Sequence, residues 1–308
     1  MRAAAVDIGT NSVRLLIAET DGPGGFQTLD RQSRVVRLGQ GVDRTGRLAE
    51  EAIKRTVAAV ADYVAAWRDA GVRQVRISAT SAARDAENAA TFSTAIHTVA
   101  GVGPEVLSGE DEGRLAFAGA TADMDPGVGP FVVLDIGGGS TEMVIGQVSV
   151  ERQTSRQLGS VRLTERVLTD DPPSSAQIED AGGVIAVQLE AMGRLVAPDR
   201  ASTLIAVAGT ATTLAAVHGG LDDYVDGRVH GWSMTAAQVR ALAERLLGSS
   251  AADIGRLGAV QQGREDVLAA GAMILSAVID RFDFPEVVIS EADALDGMVL
   301  EMFANSHD

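Results

Sequence analysis

Two short stretches place an aspartate at the entrance to a glycine turn: Asp7-Ile8-Gly9-Thr10-Asn11-Ser12 and Asp135-Ile136-Gly137-Gly138-Gly139-Ser140-Thr141-Glu142. In the second, glycines without Cβ atoms let successive backbone N–H groups converge on an anion, and the Ser140 and Thr141 hydroxyls follow, a pattern that cradles phosphate. The first offers Gly9 with the polar side chains of Thr10, Asn11 and Ser12. Asp7 and Asp135 could each hold Mg²⁺, with Mn²⁺ as a substitute, because such hard cations take oxygen ligands and keep part of their hydration. Either aspartate alone could equally satisfy N–H groups of its own turn. Two copies that both begin Asp-Ile-Gly favour phosphate binding. Setting residues 7–19 over 135–147 gives five identities in thirteen at an offset of 128, which reads as an internal duplication. In that frame Arg14 falls where the second copy has Glu142. One half therefore offers a guanidinium fork for phosphate oxygens and the other a carboxylate.

These residues need strands to present them. Apolar runs flank both turns, so each copy reads as strand, polar turn and strand. Ile53, Val57, Val60, Val64 and Trp67 recur at helical spacing over 49–70, with Gly71 as a stop. A strand over 72–78 and a helix over 89–100 follow, and 105–107 leads into Ser108-Gly109-Glu110-Asp111-Glu112. Beyond the second copy, helices are predicted over 175–195, 235–247 and 266–282, and strands over 204–207 and 287–290. Such alternation predicts an α/β fold. Its length of 308 residues suits about two domains. The boundary is expected in the Pro/Gly-rich stretch 123–130, giving a first domain over 1–127 to which 298–308 returns and a second over 128–297. The two glycine turns would then face a shared interdomain cleft.

Composition removes several classes of function. Acidic residues number 42 against 26 basic ones, a formal charge of −16, which argues against a general binder of nucleic acid or anionic membrane. Lys54 is the sole lysine and Ile53 precedes it, so there is no P-loop. The absence of cysteine excludes disulfides, thiolate zinc sites and cysteine nucleophiles. His97, His218, His230 and His307 lack close metal-ligand spacing. No apolar run has signal-peptide or membrane-span length, so a cytoplasmic protein is expected. Arg256, Arg264 and Asp266, ahead of an apolar helix, leave a cleft rim and an interface open as readings.

The ordered motifs DIGTNS, TSAARDAEN (80–88), SGEDEGRL (108–115), DIGGGSTE, GSVRLTE (159–165) and AGTATTLA (208–215) resemble those of the exopolyphosphatase/guanosine pentaphosphate phosphohydrolase (Ppx/GppA) family in its short two-domain form. The resemblance runs from end to end. It implies two duplicated ribonuclease H-like domains of the actin, sugar kinase and Hsp70 ATPase superfold. It also implies Glu112 as catalytic glutamate and Glu142 as a second essential, metal-linked carboxylate. Arg84 would grip phosphate, with Asn88 nearby, while Ser160 and Arg162 reach toward the phosphates and Gly209-Thr210 forms a further phosphate turn. Phosphoanhydride hydrolysis independently asks for a water held in line, a carboxylate to deprotonate it and positive charge on the equatorial oxygens. Glu112 suits the carboxylate role, and Mg²⁺, Arg14 and Arg84 suit the charge.

One segment departs from the family pattern. Ser290-Glu291-Ala292-Asp293-Ala294-Leu295-Asp296-Gly297 stands where the resemblance implies a Gly-Leu-Arg-Asp/Glu-Gly ending, which leaves the positive charge of that loop open. The expected activity is release of orthophosphate from polyphosphate ends, best on short chains, because the helical domains of longer members are not present. A guanosine pentaphosphate 5′-phosphohydrolase is the alternative. An ATP-binding module of the actin or Hsp70 kind, or a kinase, is a further one and would need an adenosine pocket around 209–213. A homodimer is expected from the family.

Overall fold

The computed structural model describes residues 1–22 and 25–305, so His307 lies outside the described residues. In chain order the first unit contains β1 (Arg2–Ile8), β2 (Ser12–Glu19), β3 (Gln27–Val35), α1 (Val42–Thr45), α2 (Glu50–Asp69), β4 (Gln74–Ala79), α3 (Ser81–Asp85), α4 (Ala89–Ala100), β5 (Glu105–Val106) and α5 (Gly109–Thr121). β1, β2 and β3 form an antiparallel meander, and β4 and β5 continue parallel to β1, giving the order β3-β2-β1-β4-β5. Both faces of β1 are covered, which is why it reads as an unbroken apolar run. α2 buries Val60, Tyr63, Val64 and Trp67. The Tyr63 hydroxyl, inside this core, donates to the carbonyl of Val13 at 3.0 Å.

The second unit contains β6 (Phe131–Ile136), β7 (Thr141–Gly146), β8 (Val150–Arg156), α6 (Ser160–Arg166), α7 (Ser175–Val196), β9 (Thr203–Val207), α8 (Ala208–His218), β10 (Ser233–Thr235), α9 (Ala236–Leu247), α10 (Ala251–Ile254), α11 (Leu268–Phe282) and β11 (Glu286–Ile289). Its sheet runs β8-β7-β6-β9-β11-β10. Three antiparallel strands are again followed by two parallel ones, β9 and β11, with β10 antiparallel at the edge, so β6, β7, β8 and β9 repeat β1, β2, β3 and β4. This ribonuclease H-like order, present twice, is the duplication expected from the sequence. α11 is buried along most of its length against α6, α7, α8 and α9, and forms the centre of this unit's core.

The chain then returns as α12 (Ala294–Ala304), which packs on β1 and β2 of the first unit. The contacts divide the chain at Gly119/Ala120 and at Ala292/Asp293. The sequence reading sets these passages at 127/128 and 297/298. Asp123–Pro130 is a turn with a short 3-10 segment at Pro126–Val128 leading into β6. At the first passage, a Cβ on Gly119 would collide with the carbonyl oxygen of Asp293, so only glycine permits this approach of α5 to the returning segment.

Candidate functional site

In the first unit, strand register places Asp7 opposite Arg14 on β2 and beside Ser78 on β4. Arg14 Nη2 donates to Asp7 Oδ2 at 2.8 Å, and Ser78 Oγ donates to Asp7 Oδ1 at 3.0 Å. The other arm of the guanidinium, Nη1, donates to Asp293 Oδ2. Arg14, expected as a fork for phosphate oxygens, thus spans two carboxylates. The turn beyond is closed by Gly9 N–H donating to the Ser12 carbonyl at 2.9 Å. Thr10 Oγ1 and Ser81 Oγ are 2.7 Å apart, which joins the glycine turn to the TSAARDAEN motif. The Asn11 carbonyl accepts from the N–H groups of Val36 and Arg37 and fixes the turn from outside.

The acidic run at the start of α5 separates by burial. The Asp111 side chain is 52% exposed and shares hydrogen bonds with Ser108, whereas the Glu112 side chain is only 12% exposed. Arg84 Nη1 lies 3.5 Å from Glu112 Oε2, and the same nitrogen donates to the Leu107 carbonyl at 2.7 Å. The backbone before α5 therefore aims Arg84 at Glu112. Asn88 serves the scaffold, since both ends of its amide bond the backbone of Leu48.

The second unit repeats this geometry with different charges. Asp135 on β6 stands opposite Glu142 on β7, and directly opposed residues share a face of the sheet. Ser155, opposite Glu142 on β8, donates to Glu142 Oε1 at 2.6 Å. Gly137 N–H donates to the Ser140 carbonyl at 3.0 Å, the counterpart of the Gly9–Ser12 bond. The carbonyls of this turn are taken by α6: Ser160 N–H bonds Gly137, the N–H groups of Val161 and Arg162 bond Gly138, and Arg162 Nε bonds Gly139. In a trans peptide the N–H points away from the carbonyl of the same peptide unit. The N–H groups of Gly138, Gly139 and Ser140 are therefore directed opposite to carbonyls already bound by α6, and are the donors that an anion cradle at this turn would use. A Cβ on Gly159 would collide with the Gly138 carbonyl, so glycine is required for this docking. Ser160 and Arg162 support the turn through its carbonyls, and the Thr141 hydroxyl donates to the carbonyl of Leu158.

At the start of α8, Ala208 holds a left-handed φ of 65°, an uncommon conformation for a residue with a Cβ. The Arg264 guanidinium lies against the next residue, where a Cβ on Gly209 would overlap Arg264 Nη1. Thr210 packs closely on Gly271 of α11, where a Cβ would meet its methyl group. Arg264 was readable only as a basic residue near an apolar helix, because its proximity to Gly209 is long-range. Ser78 and Ser155, which orient Asp7 and Glu142, carried one signal in sequence: a hydroxyl within a strand. The His230 backbone N–H and the Tyr224 hydroxyl both donate to the Glu291 carboxylate, and burial raises the Tyr224 phenol well above its ordinary pKa. His230 is thus a turn residue.

Among the described residues no group of three or more His, Asp or Glu side chains could hold a metal by itself. The two hairpins differ in their fit to one. Asp7 already faces a fixed guanidinium, whereas Asp135 and Glu142 present two carboxylates from one face, a donor set that suits a hydrated Mg²⁺ completed by phosphate oxygens. No helix among the described residues is long and apolar enough to cross a membrane.

The repeated sheet order and the paired glycine hairpins define a duplicated α/β enzyme. The Ppx/GppA phosphatase family profile matches residues 16–306, and the chain belongs to that family. It is 38% identical to Exopolyphosphatase 2 of Mycobacterium tuberculosis strain H37Rv over 313 aligned residues, covering 98% of each chain. A solved exopolyphosphatase-like protein superposes with a TM-score of 0.95 at 36% identity, covering 99% of this chain and 100% of that one. The Aquifex aeolicus member of the Ppx/GppA family superposes at 0.82 with 29% identity, covering 100% and 99%.

Proposed function

We propose that the protein is a metal-dependent exopolyphosphatase that removes the terminal phosphoryl group of inorganic polyphosphate as orthophosphate. The observation that carries this reading is the withdrawal of Glu112 from solvent beside Arg84, while its acidic neighbour Asp111 stays exposed. A water oxygen attacks the terminal phosphorus and Glu112 takes the water proton as the new P–O bond forms. The bridging P–O bond breaks, and its electron pair stays on the oxygen of the shortened chain. Arg84 offsets charge on the equatorial oxygens. The N–H groups of Gly138, Gly139 and Ser140 hold phosphate oxygens along the chain.

Asp135 and Glu142 would hold Mg²⁺, or Mn²⁺ in its place, and the bound cation would draw negative charge from the phosphoryl oxygens. Ser155 orients Glu142 for that task. The preference is for short chains, because a net charge of −16 opposes the long-range attraction a long polyanion would need. Relatives named exopolyphosphatase that align over almost the whole chain support polyphosphate as substrate.

The test is phosphate release from a ladder of polyphosphate lengths, with guanosine pentaphosphate and ATP in parallel, with and without Mg²⁺. Release from polyphosphate that requires the cation is expected; preference for guanosine pentaphosphate at equal concentration would overturn the substrate, and a rate climbing with chain length without limit would overturn the short-chain clause. Glu112→Gln, nearly isosteric but without the base, should lower kcat about 10²- to 10⁴-fold.

A further inference from the structure

The buried charges around the first hairpin extend into the returning helix. Asp293 caps α12, its Oδ1 accepting the Leu295 N–H at 3.0 Å and its Oδ2 accepting Arg14 Nη1. The Asp293 N–H donates to Asp296 Oδ2 at 2.9 Å, and Asp296 in turn pairs with Arg31. The Asp293 side chain is 3% exposed, and residues 279 apart in sequence are needed to make its contact with Arg14. Both oxygens of Asp7 are engaged as well, one by Ser78 and the other by Arg14. A guanidinium held at both ends by carboxylates from different elements has little freedom to turn.

We propose that Asp293 is a positioning residue for hydrolysis: by holding Nη1 of Arg14 it keeps Nη2 on Asp7, so that Arg14 is the fixed counter-charge of Asp7 and is withheld from substrate phosphates. The inference rests on the phosphohydrolase reading given above. Arg14 and Ser78 together hold both oxygens of Asp7 in one orientation.

The alternative is that Asp293 only staples α12. Asp296 provides the control, since it shares the same helix cap and burial but pairs with Arg31. Steady-state phosphate release at saturating Mg²⁺ separates the two. Asp293→Asn, which keeps a good cap, should lower kcat roughly 10- to 100-fold with KM for polyphosphate changed less than about threefold. Arg14→Lys, which keeps one charge but cannot bridge two carboxylates, should do the same. The double variant should fall no more than about twofold below the worse single one, because Asp293 acts only through Arg14. Asp293→Glu should recover part of the rate. Asp296→Asn should lose thermal stability while kcat per folded molecule stays within about twofold.

Wild-type kcat in Asp293→Asn, multiplicative losses in the double variant, an equal kcat loss in Asp296→Asn, or an Arg14→Lys effect confined to KM would each overturn the proposal. Should Asp293→Asn fail to fold, Arg14→Lys and Asp296→Asn still decide it, because Arg14→Lys leaves the cap intact. Wild-type protein measured alongside keeps the readings apart. Its failure to release phosphate defeats the substrate assignment, whereas its activity beside an unimpaired Asp293→Asn defeats this inference alone.

Discussion

The β1–β2 and β6–β7 hairpins have the same register, with Asp7 seven residues before Arg14 and Asp135 seven before Glu142, and the same turn-closing bond at Gly9 and Gly137. Across the strand pair, however, the first sets a carboxylate against a guanidinium and the second sets two carboxylates together. One scaffold therefore produces a hairpin that neutralises itself and another that gathers negative charge suited to a cation. The difference between the two charge patterns lies at one cross-strand position, Arg14 in the first hairpin and Glu142 in the second.

The largest effect should come from the second hairpin. Glu142→Gln should reduce phosphate release about a thousandfold, ~4 kcal/mol of barrier, and flatten its dependence on Mg²⁺ concentration. Unchanged Mg²⁺ response in that variant would break the division of labour between the hairpins. Converting the first hairpin to the pattern of the second is the next test. Arg14→Glu would leave Asp7, Asp293 and the introduced carboxylate together with no guanidinium between them, and urea unfolding should register a loss of about 3–5 kcal/mol, the cost of breaking a buried pair. If Mg²⁺ then restores part of that stability, the comparison is sharpened, because the converted hairpin has acquired the other's need for a cation.

Gly159→Ala probes the docking of the second turn on α6. Its Cβ would press on the Gly138 carbonyl, so a cost of about 1–3 kcal/mol is expected in urea unfolding, together with a raised KM for polyphosphate. The smallest effect concerns pH. Burial raises the Asp296 carboxyl above its ordinary value; Arg31 opposes that rise and the charge of Asp293 adds to it. A raised folded-state pKa contributes stability that is complete below the unfolded value and is lost as pH rises through the folded one. Urea midpoints from about pH 4 to 7 should therefore contain a declining contribution that disappears in Asp296→Asn; an identical pH slope in the variant would remove Asp296 as its source.

Much of the fold was legible because its core elements are strongly periodic or uniformly apolar. The helix expected over 89–100 coincides with α4, and the fully buried strands around both aspartates followed from unbroken apolar runs. β3 was missed because an edge strand reading QTLDRQSRV has no apolar alternation and owes its conformation to pairing with β2. The contact-defined units divide eight residues before the first expected boundary and five before the second, because contacts such as that of Gly119 with the Asp293 carbonyl join residues distant in sequence and leave no local signal. At the site, local motifs revealed Asp7, Asp135 and the glycine turns. The partner of Arg14 could not be read locally, since Asp293 reaches it only through the fold.

Residues 290–293, where the chain leaves the second unit, are anchored one after another. Ser290 Oγ bonds both the N–H and the carbonyl of Ala292, Glu291 accepts the Tyr224 hydroxyl, and Asp293 accepts Arg14. A glutamate-specific endoprotease needs several consecutive residues drawn out into its groove, and here none can be drawn out singly. Nicking after Glu291 should therefore be slow although no regular helix or strand protects this strip of chain, which limited digestion with such a protease would check.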